Sequence, residues 1–231
     1  MNTLILSHVA RYSRFILPAM MLALGALPAF AQFWGGGTRG SGKILSDTRT
    51  VPAFTKIIVA GSGDVVFKKG DKREVIVEAD DNIWESVQTD VSGNGELVLG
   101  MKSGSWNNMH LKFIITNPTL EAAQIRGSGS MEIENSFEGQ KLFSEISGSG
   151  SLRYKGGKVQ QHEISINGSG SVLAEKLDAN DVEVSIAGSG SAKVMAQKTL
   201  NARISGSGSV VYSGTASVNK SIFGSGSVVK R

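Results

Sequence analysis

The chain has 231 residues, no cysteine and a formal net charge of +4. Without cysteine it cannot form disulfide bonds, thiolate metal sites or a cysteine nucleophile. Its 24 lysines and arginines are interspersed with 20 acids, so the charge does not indicate nucleic-acid binding.

Residues 1–31 have the three parts of a secretory signal peptide. Arg11 and Arg14 precede an apolar run, Phe15–Leu27, and Ala29-Phe30-Ala31 supplies the small residues of a cleavage site. The apolar run is shorter than the ~20 residues that a helix needs to cross a bilayer. We therefore predict export to the periplasm or the cell surface, with cleavage before Gln32. An uncleaved N-terminal anchor is the alternative.

Residues 32–50 are predicted to form a flexible, glycine-rich leader. The leader contains Gly35-x-Gly37-x-x-Gly40, which has the spacing of a dinucleotide-binding fingerprint. That fingerprint requires a strand before it and a helix after it, and the sequence offers neither. No cofactor is therefore predicted.

Residues 51–120 contain one Gly-Ser-Gly motif, at Gly61, and several short apolar runs. The 66 residues from Gly61 to Gly127 equal about three of the repeats described below, so we expect longer, irregular coils that continue the repeat and cap it. Asp80 or Asp81 is expected to cap one helical turn. The predicted strands are Lys56–Ala60, Asp64–Phe67, Glu74–Ala79, Glu96–Met101 and Leu111–Thr116.

Residues 121–231 repeat the motif Ile-x-Gly-Ser-Gly-Ser-apolar at intervals of 18 to 21 residues. Upstream of the motif, apolar and polar residues alternate, as around Ile164 and Ile166, and this alternation predicts strands with one buried face. A period of this length without a helical segment indicates a stacked β repeat. We therefore predict an all-β fold, a single-chain parallel β-helix (β-solenoid) with coils of about 18–22 residues.

The motif glycines need a local reason, because glycine inside a strand costs about 0.5–1 kcal/mol relative to alanine. One interpretation is geometric, either a sharp corner with φ > 0 or close packing of neighbouring coils. The other is that a ligand approaches bare backbone. These glycines are Gly61, Gly63, Gly127, Gly129, Gly148, Gly150, Gly168, Gly170, Gly188, Gly190, Gly206, Gly208, Gly224 and Gly226.

The serines between the paired glycines are predicted to form an outward ladder, because equivalent residues of parallel coils lie one above another. This ladder is the candidate binding wall. Its members are Ser128, Ser149, Ser169, Ser189, Ser207 and Ser225.

The sequence offers no evident catalytic or metal-binding constellation. Polysaccharide-active β-helices need paired carboxylates on neighbouring coils, and no column of equivalent positions is expected to stack acids. His110 and His162 each stand alone, whereas a zinc site would need both together with acids. The columns compared are Arg126, Ser147, Asn167, Ala187, Ser205 and Phe223 before the motif, and Glu132, Arg153, Leu173, Lys193, Val211 and Val229 after it.

Several segments together resemble one known family. The runs Phe54–Val65, Val77–Asn82 and Leu111–Thr116, followed by serial Gly-Ser-Gly-Ser motifs, resemble the putative autotransporter adhesin head GIN domain family over residues 51–231. The resemblance implies exported bacterial envelope proteins with a right-handed β-helix and no established enzymatic activity. Right-handed crossovers are also the general rule for parallel strands. Residues 51–120 would form the irregular coils and residues 121–231 the regular ones.

The function expected from these observations is a non-enzymatic, adhesin-like binding module of the cell envelope. Its partner would be a glycan, a lipid or another envelope protein. One alternative is a structural module that self-associates through its C-terminal edge, Phe223–Arg231, which leaves backbone groups unpaired. A polysaccharide-active enzyme is the third and least supported possibility.

Overall fold

The computed structural model describes residues 37–134 and 137–231, so the predicted signal peptide lies outside the described residues. The described chain consists of strands and a short 3₁₀ helix, Asp81–Ser86. None of its helices is long and apolar enough to cross a membrane. The strands before the helix are β1 (Thr38–Arg39), β2 (Ile44–Arg49), β3 (Lys56–Gly61), β4 (Asp64–Lys69) and β5 (Glu74–Asp80).

The strands after the helix include several long ones that continue around a coil. They are β6 (Val87–Val91), β7 (Glu96–Met101), β8 (Trp106–Asn107), β9 (Leu111–Asn117), β10 (Ala122–Gly127), β11 (Ser130–Glu134), β12 (Phe137–Gly148), β13 (Ser151–Tyr154), β14 (Gly157–Gly168), β15 (Ser171–Gly188), β16 (Ser191–Gly206), β17 (Ser209–Ser213), β18 (Ser217–Phe223) and β19 (Ser227–Lys230).

Successive coils stack in parallel, which confirms the predicted all-β solenoid. We call wall A the strand segments that end at the first motif glycine, and wall B the segments that begin after the second. The third side is the part of each coil that returns from wall B to wall A. Gly148, Gly168 and Gly188 are Cα partners along wall A, so the coils keep their register.

The core is built from columns that contain one apolar residue per coil. Ile125, Ile146 and Ile166 are successive Cα partners, and all three are fully buried. The residues between buried positions in β14 remain partly or fully exposed, which is the alternation that the sequence shows. Because burial of one isoleucine side chain contributes about 1.5–3 kcal/mol, a column repeated in every coil stabilises the stack strongly.

The motif glycines form the corner between wall A and wall B. Gly168 has a φ of +125°, and a Cβ placed there would lie 2.5 Å from the carbonyl oxygen of Gly148 in the preceding coil. A Cβ at Gly170 would lie 2.5 Å from Cγ2 of Ile146. Real Cβ atoms do not approach other atoms so closely, so a larger residue would separate the coils. This geometry accounts for both glycines without a ligand.

Replacement of Gly168 by valine tests the corner geometry. We expect Gly168→Val to lower the free energy of unfolding by more than about 2 kcal/mol, because valine is strained at positive φ and its side chain meets the Gly148 carbonyl. Chemical denaturation measures the change. The matched control is Ser169→Ala at the exposed neighbouring position, which should cost at most about 0.5–1.5 kcal/mol. An unchanged unfolding midpoint for Gly168→Val would refute this account of the motif.

Residues 51–120 do not stack in chain order, which differs from the expected succession of coils. Strand β3 pairs in parallel with β7 on one side and with β10 on the other. Strand β4 likewise lies between β9 and β11. The later segment β7–β9 is therefore the terminal coil of this end. Antiparallel strands follow it, since β5 pairs with β9 and β6 pairs with β7, and they close the end of the stack.

The segment predicted as a flexible leader is paired from Thr38 to Arg49. Strand β1 pairs with β8, and β2 pairs antiparallel with β5. Asp80, which is buried, accepts hydrogen bonds from the amides of Gly42 and His110, both at 2.6 Å. Asp80 or Asp81 was expected to cap a helical turn; Asp80 occupies the N-cap position but makes no side-chain cap bond. Its carboxylate instead holds the leader against the end of the solenoid.

Candidate functional site

The predicted binding-wall serines lie in one line along the corner rather than on a flat wall. All are exposed, and Ser62 extends the line into the first motif. The amides of Ser128, Ser149, Ser169, Ser189 and Ser207 pair with the preceding coil, as from Ser169 to the carbonyl of Gly148 at 3.0 Å. The corner line therefore presents hydroxyl groups on a backbone frame that is held from coil to coil. We call Ser62, Ser128, Ser149, Ser169, Ser189, Ser207 and Ser225 the corner serines.

A hydrogen-bonded ladder lies on the third side, where sequence reasoning assigned no role. The amide of Asn180 donates to Gln160, and Thr215 donates to the backbone carbonyl of Gln197 at 2.8 Å. These pairs are separated by 20 and 18 residues, the same intervals as the motifs. The repeat spacing could therefore have identified them. Because the polar atoms of these residues pair with one another, we interpret the pairs as a ladder that stabilises the stacking of the coils.

Wall A contains stacked acids, so the expectation that no column stacks acids was wrong. Glu163 and Glu183 are Cα partners in neighbouring coils, in a column that sequence reasoning did not compare. Each carboxylate is paired with a cation: Glu163 lies 3.2 Å from Lys141, and Glu183 lies 2.6 Å from Arg203. Each cation contacts one oxygen of its carboxylate and offsets the repulsion between the acids.

A shallow depression of about 310 Å³ lies on wall A at the coils that contain Ser165, Ser185 and Arg203. Phe223 borders it, and this side chain is 75% exposed. Sequence reasoning placed Phe223 in the column before the motif but gave it no role. We call this feature the wall A depression. The residues that line it are Ser165, Asn167, Ser185, Ile186, Ala187, Arg203, Ile204, Ser205, Ser221 and Phe223.

One serine and one histidine do meet, but in the core. The Ser144 hydroxyl lies 2.8 Å from Nε2 of His162 and 2.6 Å from the Tyr154 hydroxyl. All three side chains are at most 2% exposed. His162 was expected to stand alone, so this contact corrects that expectation. The cluster links three coil segments inside the solenoid and is closed to a substrate, unlike the Ser–His pair of a hydrolase.

Burial of the cluster shifts two pKa values. Desolvation lowers the pKa of His162 from 6.5 to about 3, because the charged imidazolium would be buried in the core. Burial also raises the pKa of Tyr154, and its hydrogen bond with Ser144 opposes this rise. Both side chains are therefore neutral in the folded protein near pH 7.

His162 should make the fold sensitive to acid. Below pH 6.5 the unfolded chain binds a proton at His162 that the folded chain does not bind until about pH 3, so stability falls across this window. The expected contribution is about 1.4 kcal/mol per pH unit. Unfolding midpoints measured between pH 7 and 4 should fall less steeply for His162→Leu than for the unchanged chain. His110→Gln, at an exposed site, is the control and should retain the slope; equal slopes in all three would contradict the assignment.

The described residues contain no group of three histidines, cysteines or acids placed to hold a metal ion. An apolar cleft of about 510 Å³ lies elsewhere, between the turn before β10 and the first half of β12. Pro118, Leu120 and Phe143 line it, and Lys69 and Lys141 lie at its polar margin. It is a further surface feature that could receive a ligand.

Fold and surface together define a β-solenoid whose outer faces carry columns of small polar side chains. The chain belongs to the family described as putative auto-transporter adhesin, head GIN domain, whose model matches residues 53–216. The resemblance seen in the sequence is thereby confirmed. No curated protein matches the chain.

Solved structures agree with this assignment. The crystal structure of a putative adhesin from Bacteroides fragilis is similar, with a TM-score of 0.71 and 25% identity, over 84% of this chain and 100% of that one. A putative adhesin from Parabacteroides distasonis matches with a TM-score of 0.54 and 24% identity, over 84% and 99% of the two chains. A putative lipid binding protein from Parabacteroides distasonis matches with a TM-score of 0.54 and 25% identity, over the same shares.

Proposed function

We propose that this protein is an exported, non-enzymatic binding module of the bacterial cell envelope, and that it acts in an adhesin-like manner through the corner and wall A. The observation that carries the proposal is the line of exposed corner serines on a paired backbone. A surface held this rigidly loses little conformational entropy when it binds a partner. The adhesin-like family and its neighbours support a binding role.

Export is part of the proposal. Residues 1–31 have the composition of a cleavable signal peptide, and the similar proteins are described as adhesins, which act outside the cytoplasm. We place the protein in the periplasm or at the cell surface. The absence of cysteine fits either location, because the stack of coils needs no disulfide bond.

A lipid partner is a second candidate that one observation favours. The putative lipid binding protein from Parabacteroides distasonis is 25% identical, and the apolar cleft beside Phe143 is large enough for part of an acyl chain. Its lining contains Glu121 and Glu138 as well as Lys69 and Lys141, so the cleft does not select for an anionic headgroup. The wall A depression is smaller, at about 310 Å³ against about 510 Å³, so lipid and glycan binding would use different parts of the molecule.

Self-association through the last coil receives less support. Val184 and Ala202 are buried in one core column, and Lys220 is the next Cα partner in that column. Lys220 therefore stands at an inward position but is exposed. An inward-pointing charge at an edge strand opposes pairing with a further strand. This feature disfavours stacking of copies end to end.

The double change Ser169→Lys with Ser189→Lys tests the corner as the binding face. Two long cationic side chains would cover the serine line, so we expect a folded protein that loses retention on a sedimented envelope fraction from the bacterium that encodes the chain. Circular dichroism and thermal unfolding would verify the fold, and sedimentation would measure retention. A well-folded variant that is retained like the unchanged chain would rule out the corner as the binding face.

The matched control adds the same charge to the third side. Gln161→Lys with Ser217→Lys places two lysines at exposed positions away from the corner and leaves the ladder pairs Gln160–Asn180 and Gln197–Thr215 unchanged. This variant should be retained like the unchanged chain. Loss of retention in both double variants would mean that added charge, rather than the covered face, is responsible.

A further inference from the structure

The wall A depression contains an aromatic side chain where the preceding coils have small residues. Ala187, Ser205 and Phe223 are successive Cα partners, so the phenyl ring stands in line with a methyl group and a hydroxyl group. The ring is 75% exposed and has no larger neighbour in its column to cover it. An exposed ring beside a flat floor offers a face against which an apolar ligand surface can stack.

The floor of the depression supplies both hydrogen-bond donors and hydrogen-bond acceptors. Ser185, Ser205 and Ser221 present hydroxyl groups, which can donate or accept, and Asn167 adds an amide that does both. These residues occupy neighbouring coils, whose strands lie about 4.8 Å apart. The backbone groups of the wall are used in the parallel ladder, so these side chains are the groups left to meet a ligand.

The charge of the depression is nearly balanced. Arg203 is the one charged residue in its lining, and its guanidinium is paired with Glu183 at 2.6 Å. A phosphate or carboxylate ligand would need an unpaired cation here, and the lining does not supply one. The guanidinium still has N–H groups that do not face Glu183, and these can donate to neutral oxygen atoms.

We propose that the wall A depression binds the pyranose rings of an uncharged polysaccharide. A pyranose ring has an apolar face of C–H groups, which suits Phe223, and a rim of hydroxyl groups, which suits the serines, Asn167 and Arg203. The inference rests on the proposed function, because it names the ligand of the same surface: Ala187, Ser205 and Phe223 directly precede the corner glycines. A volume of about 310 Å³ accommodates one ring, with the chain continuing over the wall.

The experiment titrates the exported chain with four neutral hexasaccharides, namely cellohexaose, laminarihexaose, chitohexaose and mannohexaose. Calorimetry measures affinity, and amide chemical shifts report the location of binding. We expect at least one hexasaccharide to bind and to shift the amides of Ser185, Ser205 and Phe223. Phe223→Ala should weaken that binding about tenfold or more, which is the effect of losing roughly 1.4 kcal/mol of ring contact.

Two further variants make the result specific. Phe223→Tyr keeps an aromatic face and should retain binding within about threefold, because the ring, rather than its substituent, makes the contact. Val229→Ala truncates an apolar side chain that is 53% exposed on wall B of the same coil, and it should leave affinity unchanged. Equal affinity in Phe223→Ala and the unchanged chain would overturn the assignment of the site.

The result also separates this inference from the proposed function. If no hexasaccharide binds but the unchanged chain is retained on the envelope fraction, the carbohydrate assignment is overturned and the binding function stands. If the chain binds neither a hexasaccharide nor the envelope fraction, both the carbohydrate assignment and the proposed binding function are overturned. If a hexasaccharide binds and shifts amides only around Phe143, the wall A depression is not the site.

Discussion

The structure depends on the close approach of the backbones of successive coils at the corner between walls A and B. The amide of Ser169 donates to the carbonyl of Gly148, and a Cβ at Gly168 would occupy the space beside that same carbonyl. The second glycine has the same restriction, because the isoleucine of the preceding coil lies beneath it. The Gly-Ser-Gly motif is thus determined by the distance between coils. Only its serine points outward.

A frame held by backbone and buried isoleucines leaves the outer positions of each coil free to differ. On wall A, the column before the motif changes from Arg126 to Phe223 along the stack, while the core column one residue earlier in each coil remains apolar up to Ile222. Recognition can therefore be concentrated in one part of the wall without loss of the fold. The exposed ring of Phe223 distinguishes the last coil from the preceding ones.

Regular spacing explains what the sequence could predict. Equal intervals between motifs define register, so the solenoid and the columns that flank the motif followed from the sequence alone. The order of the coils near β3 could not be predicted, because the alternation of apolar residues does not specify which strand each strand pairs with. The ordered leader depends on Asp80, whose bonds to Gly42 and His110 join residues distant in sequence. The Ser144–His162 contact and the wall A depression likewise required knowledge of which side chains from different coils meet. Right-handedness stays a prediction.

Hydrogen exchange at the corner tests the central claim most directly. The side chains of Ser149, Ser169, Ser189 and Ser207 are exposed, yet their amides donate to glycine carbonyls of the preceding coil. If these contacts hold the stack together, the four amides should be protected as strongly as the amides of the buried residues Ile146 and Ile166, because both exchange only when coils separate. Rapid exchange at the four serines, with the core amides still protected, would contradict the account.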